Sequence, residues 1–135
     1  MRDKRMSLPV DLLGTSSVTV DGAFVRVTRS GMWTESQARD HYRELDTLLK
    51  RIRLSSGGAN VLLDLTQAMV QTSAVAKVIA EATANIYKPV DRVSVLCSSA
   101  LVGLQIKRQA RIDNLATFSD EAAALEWLFA RPPTT

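Results

Sequence analysis

The chain has 135 residues, a net charge of +3 and a mean hydropathy of +0.01, with 46% hydrophobic and 23% charged residues. That length fits one domain able to bury about two-thirds of its unfolded surface without a covalent staple, and the apolar share excludes a disordered chain. One Cys and one His exclude an internal disulfide framework and supply too few ligands for a protein-only zinc site, so no metal and no cofactor are expected.

Residues 1–15 are expected to be a tail or lead-in, and 16–131 a single domain. The N-terminus is charged, but Pro9, Asp11 and Gly14 interrupt the apolar run that a signal peptide needs. Further along, Ser17–Val20 alternates, Asp21-Gly22 follows, and Ala23–Arg29 alternates again. Asp-Gly between alternating runs predicts a β-hairpin, because Gly accepts the positive φ of its turn. Phe24, Arg26 and Thr28 take one side of the second strand, Val25 and Val27 the other.

Thr34-Glu-Ser-Gln37 matches a capping box. Ala38, Tyr42, Leu45, Leu49 and Ile52 then recur at helical spacing, and Ser55-Ser-Gly-Gly58 supplies the stop. Arg39, Arg43, Lys50, Arg51 and Arg53, offset by Asp40, Glu44 and Asp46, form an exposed salt-bridged face of this helix. Val61–Leu65 has strand length and Thr66–Gln71 connects. A second helix is predicted over about 72–87, with Val75, Val78, Ile79, Ala82 and Ile86 on its apolar side and Pro89 beyond its end. Arg92–Cys97 is a second buried strand. A third helix, capped by Ser98 or Ser99, reaches about Ile112. Leu115–Phe118 is a short extended piece, and a last helix capped by Ser119 runs to about Ala130. The uncharged stretch Val93–Ile106 falls short of the ~20 apolar residues of a membrane span. A cytoplasmic location is expected, which a single unpaired cysteine matches. Acidic and basic residues are interspersed, so no nucleic acid is expected as a partner.

The order is β-β-α-β-α-β-α-(β)-α. An α/β fold is predicted: a mixed four- or five-stranded sheet, opening with an antiparallel hairpin and continuing with parallel βαβ units, covered by about four helices. Together with Val61-Leu-Leu-Asp-Leu-Thr66, Arg92-Val-Ser-Val-Leu-Cys97 and Ala116-Thr-Phe-Ser-Asp-Glu-Ala-Ala-Ala-Leu-Glu-Trp-Leu128, this order resembles the STAS superfamily (sulfate transporter and anti-sigma-factor antagonist), in its SpoIIAA-like, STAS/SEC14-like branch. The resemblance covers roughly residues 16–130. It implies a binding or regulatory module, and its SEC14 side implies an apolar or lipid-like ligand. In the antagonists an Asp-Ser-Ser-Gly turn carries a phosphorylation switch on its second Ser. The matching stretch here is Thr72-Ser-Ala-Val75: the switch position falls on Ala74 and the Gly is Val75, a departure from the switch motif in which only Ser73 or Thr72 would be open to phosphorylation.

Candidate ligand-binding residues are Asp64, Thr66, Ser73, Cys97 and Ser98. They lie toward the carboxyl ends of adjacent strands, where open α/β sheets hold ligands and helix starts offer free N–H groups. The alternative is that Asp64 and Ser73 only cap turns and helices. Cys97 precedes a helix start, which can activate a thiol, but His41 sits on a different element and no nucleophile elbow is present. The alternative for Cys97 is a buried filler. Lys107, Arg108 and Arg111 share one helix face and form a candidate partner surface, with a solvated face as the alternative. Trp33 staples a helix start or lines a pocket mouth. Trp127 packs in the last helix with Ala123, Leu128 and Ala130. The leading expectation is a non-enzymatic module acting through a protein partner or self-association. One alternative is a binder or carrier of an apolar, lipid-like ligand, whose cavity would be lined by Val75, Ile79, Leu101 and Leu104. Another is a small thiol or hydrolytic enzyme.

Overall fold

The computed structural model describes residues 14–100, 103, 104, 106, 107 and 113–130. Its elements are β1 (Thr15–Asp21), β2 (Phe24–Gly31), α1 (Glu35–Ser56), β3 (Asn60–Ala68), α2 (Ser73–Ile86), β4 (Arg92–Leu96), β5 (Leu115–Phe118) and α3 (Glu121–Phe129). The five strands form one sheet in the order β1-β2-β3-β4-β5. β1 pairs antiparallel with β2, and every later pair is parallel. The mixed α/β sheet expected from the sequence is present, with five strands. Among the described residues three helices have complete bounds, against about four expected. The expected third helix covers a segment of which Ala100, Gly103, Leu104, Ile106 and Lys107 are described as helical.

Local chemistry places the first elements. Gly22, at φ 62°, turns the hairpin. Thr34 accepts the Gln37 N–H at 3.1 Å while Gln37 Oε1 accepts the Thr34 N–H at 2.9 Å, closing the capping box of α1. Gly57, at φ 83°, closes its far end and donates to the Arg53 carbonyl. Only a residue without Cβ takes that left-handed cap cheaply. Two expected caps shift: Asp120, not Ser119, caps α3 by accepting the Ala123 N–H at 2.9 Å, and Thr72 caps α2.

Because each crossover steps the same way along the sheet, α1 and α2 share one face. Against them lie Val25, Val27, Val61, Leu63, Leu65, Val93 and Val95, with Tyr42, Leu45, Leu49, Val75 and Ile79 from the helices. The opposite face holds a smaller core of Leu62, Leu96, Ala124 and Leu128 under α3. Strand alternation separates the two sets. Ser94, fully buried, donates to the Ala124 carbonyl at 2.9 Å and ties α3 down. In α3 the core residues are Ala124 and Leu128, while Ala130 is exposed. Trp127 is half-buried, with the Arg92 guanidinium 3.8 Å above its ring.

Arg53 corrects the exposed face read for α1. Its side chain is only 15% exposed and makes an ion pair with fully buried Asp91 at 2.6 Å. Asp91 also accepts the Ala59 and Lys88 N–H groups, at 3.0 and 2.8 Å. One carboxylate thus joins the end of α1, the end of α2 and the start of β4.

Candidate functional site

The carboxyl ends of β2, β3 and β4 meet α2 around a cavity of about 270 Å³. Its position follows from a register shift. Thr28 pairs with Asp64 but Ser30 with Gln67, so Leu65 and Thr66 both stand opposite Arg29. Such a bulge kinks a strand and re-aims its side chains. Arg29 shares the face of Val25 and Val27 by alternation and lines the cavity with Leu65, Ile79, Cys97, Ser98 and Ile106.

Arg29 is 7% exposed, and its Nε has no hydrogen-bond partner. Among the described residues it makes no ion pair. Its nearest compensation is the Trp33 ring, whose centroid lies 5.8 Å from the guanidinium carbon, a cation–π contact near the outer limit. An unpaired buried donor costs about 1–3 kcal/mol. The charge is felt by its neighbours. His41 is pushed down to about 4, first by burial and then by Arg29. Burial, and next Tyr42, raise Tyr87 well above the usual tyrosine range, against an opposing pull from Arg29. The Tyr87 hydroxyl and His41 Nε2 are buried without partners as well.

Gln71 fixes the cavity rim. Its Oε1 accepts the Trp33 N–H at 2.8 Å, and its Nε2 donates to the Gly31 carbonyl at 2.9 Å and the Met69 carbonyl at 2.8 Å. The loop after β3 is thereby stitched to the loop after β2. Met69 is 37% exposed and Val70 90% exposed beside this clamp.

The candidate residues fall into separate places. Cys97 and Ser98 line the cavity. Burial raises the Cys97 thiol, partly offset by a backbone hydrogen bond from Ser99, and its Sγ lies 3.8 Å from the Phe118 carbonyl. Asp64 and Thr66 hold each other instead: Asp64 Oδ1 accepts the Thr66 N–H at 3.0 Å and the Thr66 hydroxyl at 2.7 Å. Asp64 alternates with Leu63 and Leu65 and therefore faces the α3 side. Ser73 is exposed as the first residue of α2, behind the capping Thr72. Lys107 is exposed, whereas Arg108 and Arg111 lie outside the described residues. Of the apolar lining expected, Ile79 is present, Val75 is in the core, Leu104 is 56% exposed and Leu101 lies outside the described residues. Trp33 is 7% exposed, and its indole N–H donates to the Ser30 carbonyl at 3.1 Å. Arg29 and Gln71 were not candidates from the sequence. The signal for Arg29 is its parity, a charged residue at the end of an apolar strand face. Gln71 carries no local signal.

Among the described residues no group of three or more His, Cys, Asp or Glu could hold a metal ion. Among them, too, no helix is long and apolar enough to cross a membrane.

No family model matches the chain, and no curated protein matches it. Solved structures do. An uncharacterised DUF3478-family protein with a SpoIIAA-like fold from Shewanella loihica PV-4 superposes with a TM-score of 0.64 at 17% identity, covering 92% of this chain and 99% of its own. An anti-sigma factor antagonist from Mycobacterium paratuberculosis gives a TM-score of 0.55 at 14% identity, covering 85% of this chain and 93% of its own. The fold is SpoIIAA-like.

Proposed function

We propose that the protein is a non-catalytic, STAS-like regulatory module that works in the cytoplasm by binding a protein partner. The observation that carries this reading is the clamped loop after β3. Val70 stands 90% exposed on a loop that Gln71 ties to the end of β2 and the loop after it. An apolar side chain held out on an ordered loop loses little entropy on binding. The likeness to a solved anti-sigma factor antagonist supports a protein-binding role. We also propose Lys107, Arg108 and Arg111, the partner residues expected from the sequence, of which the last two lie outside the described residues. A non-catalytic reading is supported at Cys97, whose thiol is pushed up by burial and does not share its cavity with His41.

Affinity capture from a lysate of the source cells tests this, with the intact chain as bait. A defined protein is retained by wild type and lost with Val70→Asp, whose thermal melt is unchanged. Equal retention by the two baits overturns the reading. Self-association through the same surface instead gives a concentration-dependent mass in light scattering that Val70→Asp abolishes.

A second reading, a carrier of an apolar or lipid-like ligand, is favoured by one observation: the cavity of about 270 Å³ beside Leu65, Ile79 and Ile106. Asp64, Thr66 and Ser73 have no part in that reading, while Cys97 and Ser98 are proposed as its polar rim.

A further inference from the structure

We infer that the cavity binds a medium-chain carboxylate, its head paired with Arg29 and its chain lying against Leu65, Ile79 and Ile106. This rests on the apolar-ligand reading above and adds a charge requirement to it.

The argument starts from what Arg29 lacks. A guanidinium presents five N–H donors and never deprotonates in proteins. Here it is 93% buried, being 7% exposed, its Nε is orphaned, and among the described residues no carboxylate pairs with it. A buried cation without a counter-ion is among the costliest arrangements in a protein interior, and removing it entirely would ordinarily be favourable. It is retained at the wall of a cavity that opens at the carboxyl ends of β2, β3 and β4. Alternation from Val25 and Val27 sets its side chain on that face, opposite the irregularity in β3. Among the described lining residues, the side-chain amide of Gln71 already spends its oxygen and nitrogen on Trp33, Gly31 and Met69, so the free charged group that an incoming anion meets among them is Arg29.

One guanidinium matches a monoanion, and its planar fork matches a carboxylate in two parallel hydrogen bonds. A dianionic phosphate would leave a buried net negative charge. Size sets the rest. A cavity of about 150 Å³ holds benzene, so about 270 Å³ accommodates about ten heavy atoms, those of octanoate. Pairing would also satisfy the orphaned Nε that folding leaves open.

Titration calorimetry at pH 7 on the full chain tests this, with sodium octanoate, 1-octanol and inorganic phosphate as separate probes. Octanoate is expected to bind one per chain, at least tenfold tighter than octanol. Arg29→Met, which removes a buried unpaired charge, keeps the circular dichroism of wild type and loses at least tenfold in octanoate affinity, with octanol unchanged. Ala76→Trp, an exposed position on the cavity wall, abolishes binding of both alcohol and acid, which decides the matter even if Arg29→Met fails to fold. Octanol binding as tightly as octanoate overturns the carboxylate inference and leaves the apolar-ligand reading standing. Binding of neither overturns both. Phosphate binding as tightly as octanoate overturns the carboxylate assignment.

Discussion

At the scale of the residue, the strongest single dependence lies at Asp91. It has no exposure to solvent, and its two oxygens receive Arg53 Nε and a terminal Arg53 nitrogen together with the Ala59 and Lys88 N–H groups. Asp91→Ala leaves a nearly buried guanidinium without its counter-ion and orphans two backbone donors. Such a loss costs about 3–5 kcal/mol, to be read as a fall in the urea midpoint with an unchanged slope. His41 supplies a pH dependence. It packs edge-on between Trp33 and Tyr42, at centroid distances of 4.9 and 4.8 Å, and stays neutral until about pH 4, whereas the unfolded side chain protonates near 6.5. The unfolded chain thus binds the extra proton first. Stability is full above pH 6.5 and falls as the pH drops toward 4, by at most about 3 kcal/mol. Asp40 and Glu44 border the same groove. Urea titrations between pH 7 and 5 read this dependence, and His41→Phe is expected to flatten that slope.

At the scale of the element, the caps decide where helices begin. Thr34→Ala removes one half of the α1 capping box and is expected to cost about 1 kcal/mol, seen as a lower thermal midpoint with the helix content retained. That box, the Asp21-Gly22 turn and the 38–42–45–49–52 stripe were all legible in the sequence, because each is set by residues within one or two turns of chain. The parallel strands were legible as apolar runs of strand length. The pairing irregularity at Arg29 was not, since a bulge depends on how β3 meets β2 and neither strand announces it alone. The same distance from local chemistry hid Gln71, whose three bonds reach residues as far as 40 positions away. Arg53 was misplaced for a related reason: helical spacing assigns a face, but the carboxylate that draws this arginine inward comes from residue 91. Cys97 and Ser98 border the cavity because they follow the carboxyl end of β4, the kind of position from which the sequence reading proposed them. Asp64, equally near a strand end, points to the other face by simple alternation, and its carboxylate holds Thr66.

At the scale of the whole molecule, the sheet is covered unequally. Two long helices lie on one face and the nine residues of α3 on the other. Among the described residues the core under α3 has four buried members, Leu62, Leu96, Ala124 and Leu128, so each carries a large share. Leu128→Ala is expected to destabilise the fold by about 2–5 kcal/mol, and hydrogen exchange should show the added opening first in β4 and α3. The hairpin edge is uncovered too: every residue of β1 is exposed, and Val18 and Val20 retain 38% and 47% of their surface on the α1 side.

The strand order carries a consequence for synthesis. Each strand pairs only with its neighbour in the sequence, so no pairing has to wait for a strand further along the chain. The sheet can therefore be laid down from one edge in the order the ribosome releases it, hairpin first. The exception is α3, which comes last yet covers Leu62 on β3. Until residue 128 clears the exit tunnel, the nascent domain carries an open greasy side, and that interval is when a chaperone would have its purchase on this chain.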